Sequence, residues 1–354
     1  MSTIARRRTR AALVLGMTTL LTMLVLAAVR HARAEATAPP RVRLAYFPNV
    51  THAAAIVGVA RGTFADALGD EGALEPKTFP AGPALIEALF AGEVDVGYVG
   101  PNPAINGYVK SKGEALRVIA GASSAGAQFV VRADANIAKP ADLSGKTFAT
   151  PQLGGTQDVA LRLYVRRHGL DTADRGGTVT IQPAQPADIF TLFREGKIQG
   201  AWMAEPWVSR LVIEGGGRVF LDERDEWPDG RFVTTVVVAR TEFLTQHPDL
   251  VRRLLEAHVD SIAFLNERPD KAQRVVNAEI ARITTKALPD AVVASAFENT
   301  EFTTDPLPNT LQKAADSAFE LGFLGTERPQ LFGIWALQPL EAVVAARKNR
   351  VAAR

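Results

Sequence analysis

Val42-Arg43-Leu44-Ala45-Tyr46-Phe47-Pro48-Asn49-Val50-Thr51-His52 is matched, a little over a hundred residues later, by Thr147-Phe148-Ala149-Thr150-Pro151-Gln152-Leu153-Gly154-Gly155-Thr156. Each stretch opens on a short apolar run that reads as a strand and continues into a Pro-containing loop. A helix follows in both, ending at Arg61-Gly62 in the first and at His168-Gly169 in the second. A second unit repeats in the same order. Helix Leu85–Phe90, breaker Gly92, strand Val94–Val99 and loop Gly100-Pro101-Asn102-Pro103 have as counterparts helix Ile189–Phe193, breaker Gly196, strand Ile198–Met203 and loop Ala204-Glu205-Pro206-Trp207. Tyr98 and Trp202 fall at matching places. Two units in one order point to a duplication.

Short apolar strands alternating with helices predict an α/β fold, with parallel-core sheets flanked by helices on both faces. In such sheets ligands sit outside the carboxyl ends of the strands. The four loops just named all leave strand ends, so they should converge on one cleft. Two further β-branched strands, Gln128–Arg132 and Phe232–Arg240, bracket the second repeat. They predict a discontinuous first lobe, 41–128 and 233–354, and an inserted second lobe, 129–232, joined by two hinge strands. Beyond Thr241 the chain reads as helical packing around lobe one. Leu250, Leu254, Leu255, His258, Ile262 and Leu265 keep helical spacing between Pro248 and Pro269, and Ala345–Arg354 reads as a frayed basic tail.

The formal charge of +2 is misleading, because six arginines precede the first acid, Glu35. Without residues 1–34 the 40 basic residues fall to 34 against 38 acidic ones, a net of −4, which argues against nucleic acid as a partner. Those first residues read as a signal peptide: basic Arg6–Arg10, apolar Ala11–Val29, and an Ala32-Arg33-Ala34 cleavage site. An uncleaved membrane anchor is the alternative. Residues 35–40 read as a linker. General export is preferred to the twin-arginine route, since the apolar residue usual after that arginine motif is missing. With no cysteine in the chain, disulfides, thiolate metal sites, a cysteine nucleophile and lipidation through cysteine are excluded.

The runs Leu44–His52, Tyr98–Gly107, Pro151–Ala160 and Gly200–Trp207 resemble periplasmic solute-binding proteins of the nitrate, sulfonate and taurine uptake group, over about residues 41–345. Within that group the local sequence is most similar to aliphatic-sulfonate and taurine binders. The resemblance implies a two-lobed clamshell of the type II class that captures a small organic anion in the periplasm, or at the extracytoplasmic face of the membrane. It further implies delivery to an ABC permease with its ATPase, a monomeric state, no cofactor and no metal. Nitrate, bicarbonate or a thiamine precursor are alternative ligands, and a clamshell sensory domain is an alternative role.

Residues that could hold the ligand follow from the loops. Gln152 and Gly154-Gly155-Thr156-Gln157 lie between strand and helix, where paired glycines admit close approach and a helix N-terminus offers free N–H groups. The plainer reading is a turn with a threonine cap. Ser123 and Ser124, in a Gly/Ser-rich stretch after the strand Leu116–Ala120, could meet an oxyanion or simply make a flexible turn. Asn49, His52 and Asn102 leave strand ends in lobe one and could supply neutral hydrogen bonds. In lobe two, Trp202 could floor the cleft and Glu205 could face a ligand ammonium group; Glu205 could equally pair with an arginine. An enzyme is disfavoured: the five histidines have no metal-ligand spacing, and no G-x-S-x-G nucleophile elbow occurs.

Overall fold

The computed structural model describes residues 39–352. The signal peptide expected at 1–34 and residues 35–38 of the linker lie outside the described residues. In chain order the strands are β1 (Arg41–Tyr46), β2 (Ala73–Thr78), β3 (Val96–Val99), β4 (Leu116–Ala125), β5 (Ala127–Arg132), β6 (Thr147–Thr150), β7 (Thr180–Pro183), β8 (Gly200–Ala204), β9 (Gly217–Asp222), β10 (Val233–Arg240) and β11 (Thr300–Phe302). They form one sheet of order β11-β4-β10-β3-β1-β2 and another of order β7-β6-β8-β5-β9.

Each sheet has a parallel core, β2-β1-β3 in one and β7-β6-β8 in the other, flanked by an antiparallel strand, β10 or β5. The register carries the duplication into three dimensions. Leu44 lies opposite Val96 and Phe148 opposite Gly200, a shift of 104 residues in both strands (44 to 148, 96 to 200). Strand β3, Val-Gly-Tyr-Val, is buried at every position, as expected of a central strand covered by helices on both faces. Helices Pro248–Glu267 and Pro269–Thr284 each open on a proline, where a missing N–H costs nothing. Their apolar faces pack on the first sheet's core.

The chain passes from β4 to β5 through Gly126 alone and returns through a longer segment between β9 and β10. Gly126 has φ +69°, and a Cβ there would stand 2.6 Å from Thr300 Oγ1, so only glycine fits the first crossing. Two expectations are corrected. Ser123 and Ser124 are not in a turn: β4 continues to Ala125, because β10 pairs with it on one side and β11 on the other. The C-terminal tail is not frayed through its described length. Helix Gln338–Ala352 spans it, and Arg347 pairs with Asp260 at 3.1 Å.

Candidate ligand-binding cleft

The carboxyl ends of β1, β3, β6 and β8 open onto one cleft, as the four loops require. Phe47, Asn49, Thr51 and His52 come from the first loop, Gly100 and Pro103 from the second, Pro151, Gln152, Gly155, Thr156 and Gln157 from the third, and Met203, Ala204 and Trp207 from the fourth. The ends of β2 and β7 contribute as well, through Pro80-Ala81-Gly82 and Pro186, and Thr234 and Thr235 of β10 complete the lining. The same strand-end rule applied to β2 and β7 would have located the first of these additions. Thr234 and Thr235 had no such signal, because they lie within a strand.

Every lining residue is uncharged at neutral pH. Four helices begin there: Gly82–Phe90, Pro101–Lys110, Thr156–Arg167 and Pro186–Arg194. Their first-turn N–H groups and partial positive charges favour an anion. Buried hydroxyls add to this. Thr156 Oγ1 and Thr235 Oγ1 have no hydrogen-bond partner, and Thr235 is wholly buried. Unpaired buried hydroxyls cost about 1–3 kcal/mol each, which a ligand accepting from them would recover.

His52 is buried, with its ring against Phe47 at a centroid distance of 4.2 Å. Its Nδ1 accepts the Phe47 N–H at 3.3 Å, which leaves the proton on Nε2. Burial pushes its pKa down to about 3, so the ring is neutral. Trp207 Nε1 donates to Asn49 Oδ1 at 3.2 Å, linking the β8 loop to the β1 loop across the cleft.

The Gly-Gly-Thr loop is held from behind. Asp158 is completely buried and accepts from Thr150 Oγ1, from the Gly154 N–H and from Arg162 Nε, each at 3.0 Å. Gly154 therefore spends its N–H on Asp158 and does not line the cleft, whereas Gly155 and Thr156 do.

The other expected residues lie elsewhere. Ser123 and Ser124 are fully buried in β4 with unpaired hydroxyls, Ser123 in register with Thr235. Asn102 is buried, donates to the Ala314 carbonyl at 3.2 Å and faces a second cavity. Trp202 does not floor the cleft: it packs inside lobe two, stacked on Phe129. Glu205 does not face the cleft either. Its carboxylate accepts from Ser209 N (3.0 Å), Ser209 Oγ (2.9 Å) and Asn299 Nδ2 (2.7 Å), and it is wholly buried. Burial raises its pKa. With those donors satisfying it, the carboxylate has no geometry for a ligand ammonium group.

Among the described residues no group of three or more His, Cys, Asp or Glu is placed to hold a metal. No helix among them is long and apolar enough to cross a membrane.

The family comparison matches residues 35–281. The chain belongs to the NMT1-like family. This NMT1-like chain is 28% identical to the taurine-binding periplasmic protein of Escherichia coli K12 over 205 residues, 58% of this chain and 61% of that protein. The match thus spans under two thirds of that relative's length. Among solved structures it resembles the alkanesulfonate-binding protein SsuA from Xanthomonas axonopodis pv. citri, bound to MOPS, with TM-score 0.68 and 19% identity over 81% of this chain and 95% of that one. It also resembles the periplasmic aliphatic sulphonate binding protein SsuA from Escherichia coli, with TM-score 0.67 and 21% identity over 85% and 93% of the two chains. At these identities the structural likeness establishes the two-lobed clamshell fold.

Proposed function

We propose that this NMT1-like protein is the solute-binding component of an ABC importer, which captures a small organic anion of the sulfonate class in the periplasm. It then hands the ligand, unaltered, to a membrane permease driven by an ATPase. The observation that carries the reading is the cleft itself: four helix N-termini and two unpaired threonine hydroxyls face a space lined by no charged side chain. An anion is bound there by neutral donors, without a counter-ion whose removal would be needed for release. The sulfonate class follows from the relatives, named for taurine and for aliphatic sulfonates. An ammonium-bearing ligand has no carboxylate to meet, so a plain alkanesulfonate is favoured over taurine. No lining group is an activated nucleophile or a charged acid–base pair, and the neutral His52 is a donor, which favours binding over chemistry.

Calorimetry with ethanesulfonate, taurine, nitrate and bicarbonate tests this. Ethanesulfonate should bind at least as tightly as taurine and more tightly than nitrate or bicarbonate. Thr156→Val should weaken it roughly tenfold to a hundredfold, the loss of one hydrogen bond to a charged group, while Glu205→Gln should leave the taurine-to-ethanesulfonate ratio unchanged. Binding of nitrate alone would overturn the sulfonate assignment, and a taurine preference lost in Glu205→Gln would restore the ammonium role.

A further inference from the structure

The stretch Glu205–Ser209 leaves β8 and opens the short helix Trp207–Ile213. It is bonded repeatedly to residues packed on the other sheet. The Val50 N–H donates to the Glu205 carbonyl at 3.1 Å, and Trp207 Nε1 donates to Asn49 Oδ1 at 3.2 Å. Asn299 Nδ2 donates to Glu205 Oε1 at 2.7 Å, and Ser209 Oγ stands 2.9 Å from Ser295 Oγ. Asn49 and Val50 follow β1. Ser295 lies in the helix Asp290–Glu298, whose Val293, Ala296 and Phe297 belong to the first sheet's core, and Asn299 comes directly after that helix.

The protons in this group can be placed. An ionised carboxylate only accepts, so Ser209 gives its one hydroxyl proton to Glu205 Oε1 at 2.9 Å, and Ser295 must then donate to Ser209 Oγ. The Ser209 N–H satisfies Glu205 Oε2 at 3.0 Å. Glu205 thus has two donors from its own helix and a further one, Asn299, from the other lobe. Because Glu205 is wholly buried, these bonds are shielded from competing solvent.

The stretch also joins the hinge to the cleft. The Glu205 N–H donates to the Gly126 carbonyl at 2.8 Å, at the first crossing between the sheets, while Trp207 lines the ligand space. Arg210 lies 4.7 Å from the Trp207 ring centroid and is itself held by Glu214 at 2.7 Å. Turning one lobe on the other draws these donors away from their acceptors, and hydrogen bonds weaken steeply once stretched or misaligned. Glu205, Ser209, Ser295 and Asn299 do not line the ligand space, so their contribution is the same whichever ligand fills it.

We propose that Glu205 is a positioning residue of the binding cycle: with Trp207 and Ser209 it forms an interlobe latch, closed onto Asn49, Val50, Ser295 and Asn299, that sets how long a ligand is held and not which ligand is chosen. The inference rests on the clamshell binding reading above and deepens it. Apparent affinity scales with the fraction of molecules that can close, so a weaker latch weakens every ligand by one common factor.

The test measures affinity and dissociation rate on the whole protein with ethanesulfonate and taurine. Asn299→Ala and Ser295→Ala remove only the far side of the latch and leave Glu205 its two Ser209 donors, so both variants should fold. Each should release both ligands roughly threefold to tenfold faster, with the ratio of the two affinities unchanged. Glu205→Ala should do the same or more. Glu205→Gln should recover most of that loss, because its oxygen can take the Ser209 N–H while its amide donates to Ser209 Oγ and a flipped Asn299. Unchanged dissociation rates in Asn299→Ala and Ser295→Ala would overturn the latch and leave the binding reading standing. A loss confined to one of the two ligands would overturn it as well. If neither sulfonate binds, the sulfonate reading falls, and X-ray scattering from the ligand-free proteins decides the latch alone: a larger radius of gyration in Asn299→Ala supports it, and equal radii end it.

Discussion

Tyr98 and Trp202 occupy equivalent points of the two sheets and pose the same problem. Each is a large ring exposed by only 1%, carrying one polar atom that must find a partner. In lobe one the Tyr98 hydroxyl lies 2.8 Å from His258 Nδ1, and His258 Nε2 lies 2.8 Å from the Gly121 carbonyl. A carbonyl only accepts, so Nε2 holds the proton, Nδ1 accepts and Tyr98 donates. In lobe two Trp202 donates instead to the carboxyl of Glu223, which also receives Trp227 Nε1 at 3.4 Å. Burial drives both partners toward their neutral forms, His258 down to about 4 and Glu223 up to about 7. The duplicated strands set the demand. The partners come from segments outside the repeat, the Pro248–Glu267 helix and the return crossing, so the two lobes answer it with opposite chemistry.

The largest break in this contrast should come from His258→Ala, which opens a cavity and strands both the Tyr98 hydroxyl and the Gly121 carbonyl. Urea unfolding should show a loss of roughly 3–5 kcal/mol. A loss below about 1 kcal/mol would mean that the pair is not the support described.

The next effect is a pH dependence of opposite sign in the two lobes. His258 has a folded pKa below its unfolded value, so its contribution is complete above pH ~6.5 and is lost as the pH falls toward 4. His52 acts in the same direction. Glu223 has a folded pKa above its unfolded value, so its contribution is complete below pH ~4.5 and is lost as the pH rises through 7. Each of the His258 and Glu223 contributions amounts to about 3 kcal/mol, and they oppose one another between pH ~4.5 and ~6.5. Glu223→Gln removes one of them. Its stability should therefore gain about 3 kcal/mol more than the unaltered protein does between pH ~4.5 and ~7. Parallel pH profiles for the two proteins would dissolve the contrast.

The smallest effect distinguishes the ring tips. Tyr98→Phe leaves the His258 Nδ1 acceptor buried and unpaired, at about 1–2 kcal/mol. Unlike His258→Ala it should leave the midpoint shift free of any cavity contribution, and a shift equal to that of His258→Ala would show that the tyrosine carries the whole effect.

What could be read without coordinates was local. Alternation of apolar strands and helices, Gly breakers at 92 and 196, and Pro-containing loops after the strands all act within a few residues of chain. They were enough to place the cleft at the strand ends and to bring Asn49, His52, Gln152, Gly155, Thr156 and Gln157 to it. The misplaced residues share a different cause. Ser123 and Ser124 look like a turn in isolation, and become strand because β10 and β11, more than a hundred residues distant in sequence, pair on both sides. Trp202 and Glu205 stand at the right strand end, yet their side chains go inward, the one onto Phe129 and the other toward Asn299.

By itself, then, the sequence determined the class of fold, the duplication and the helix starts behind the strand-end loops, because propensity, periodicity and glycine or proline positions are properties of neighbouring residues. Only the tertiary structure decided which polar side chains face the cleft, and that the cleft is lined by no charged side chain. A buried carboxylate or hydroxyl turns toward whichever donor is nearest in space: Ser209 is one helical turn from Glu205, whereas Asn299 and Thr235 are brought to their positions by sheet and helix packing, not by proximity along the chain.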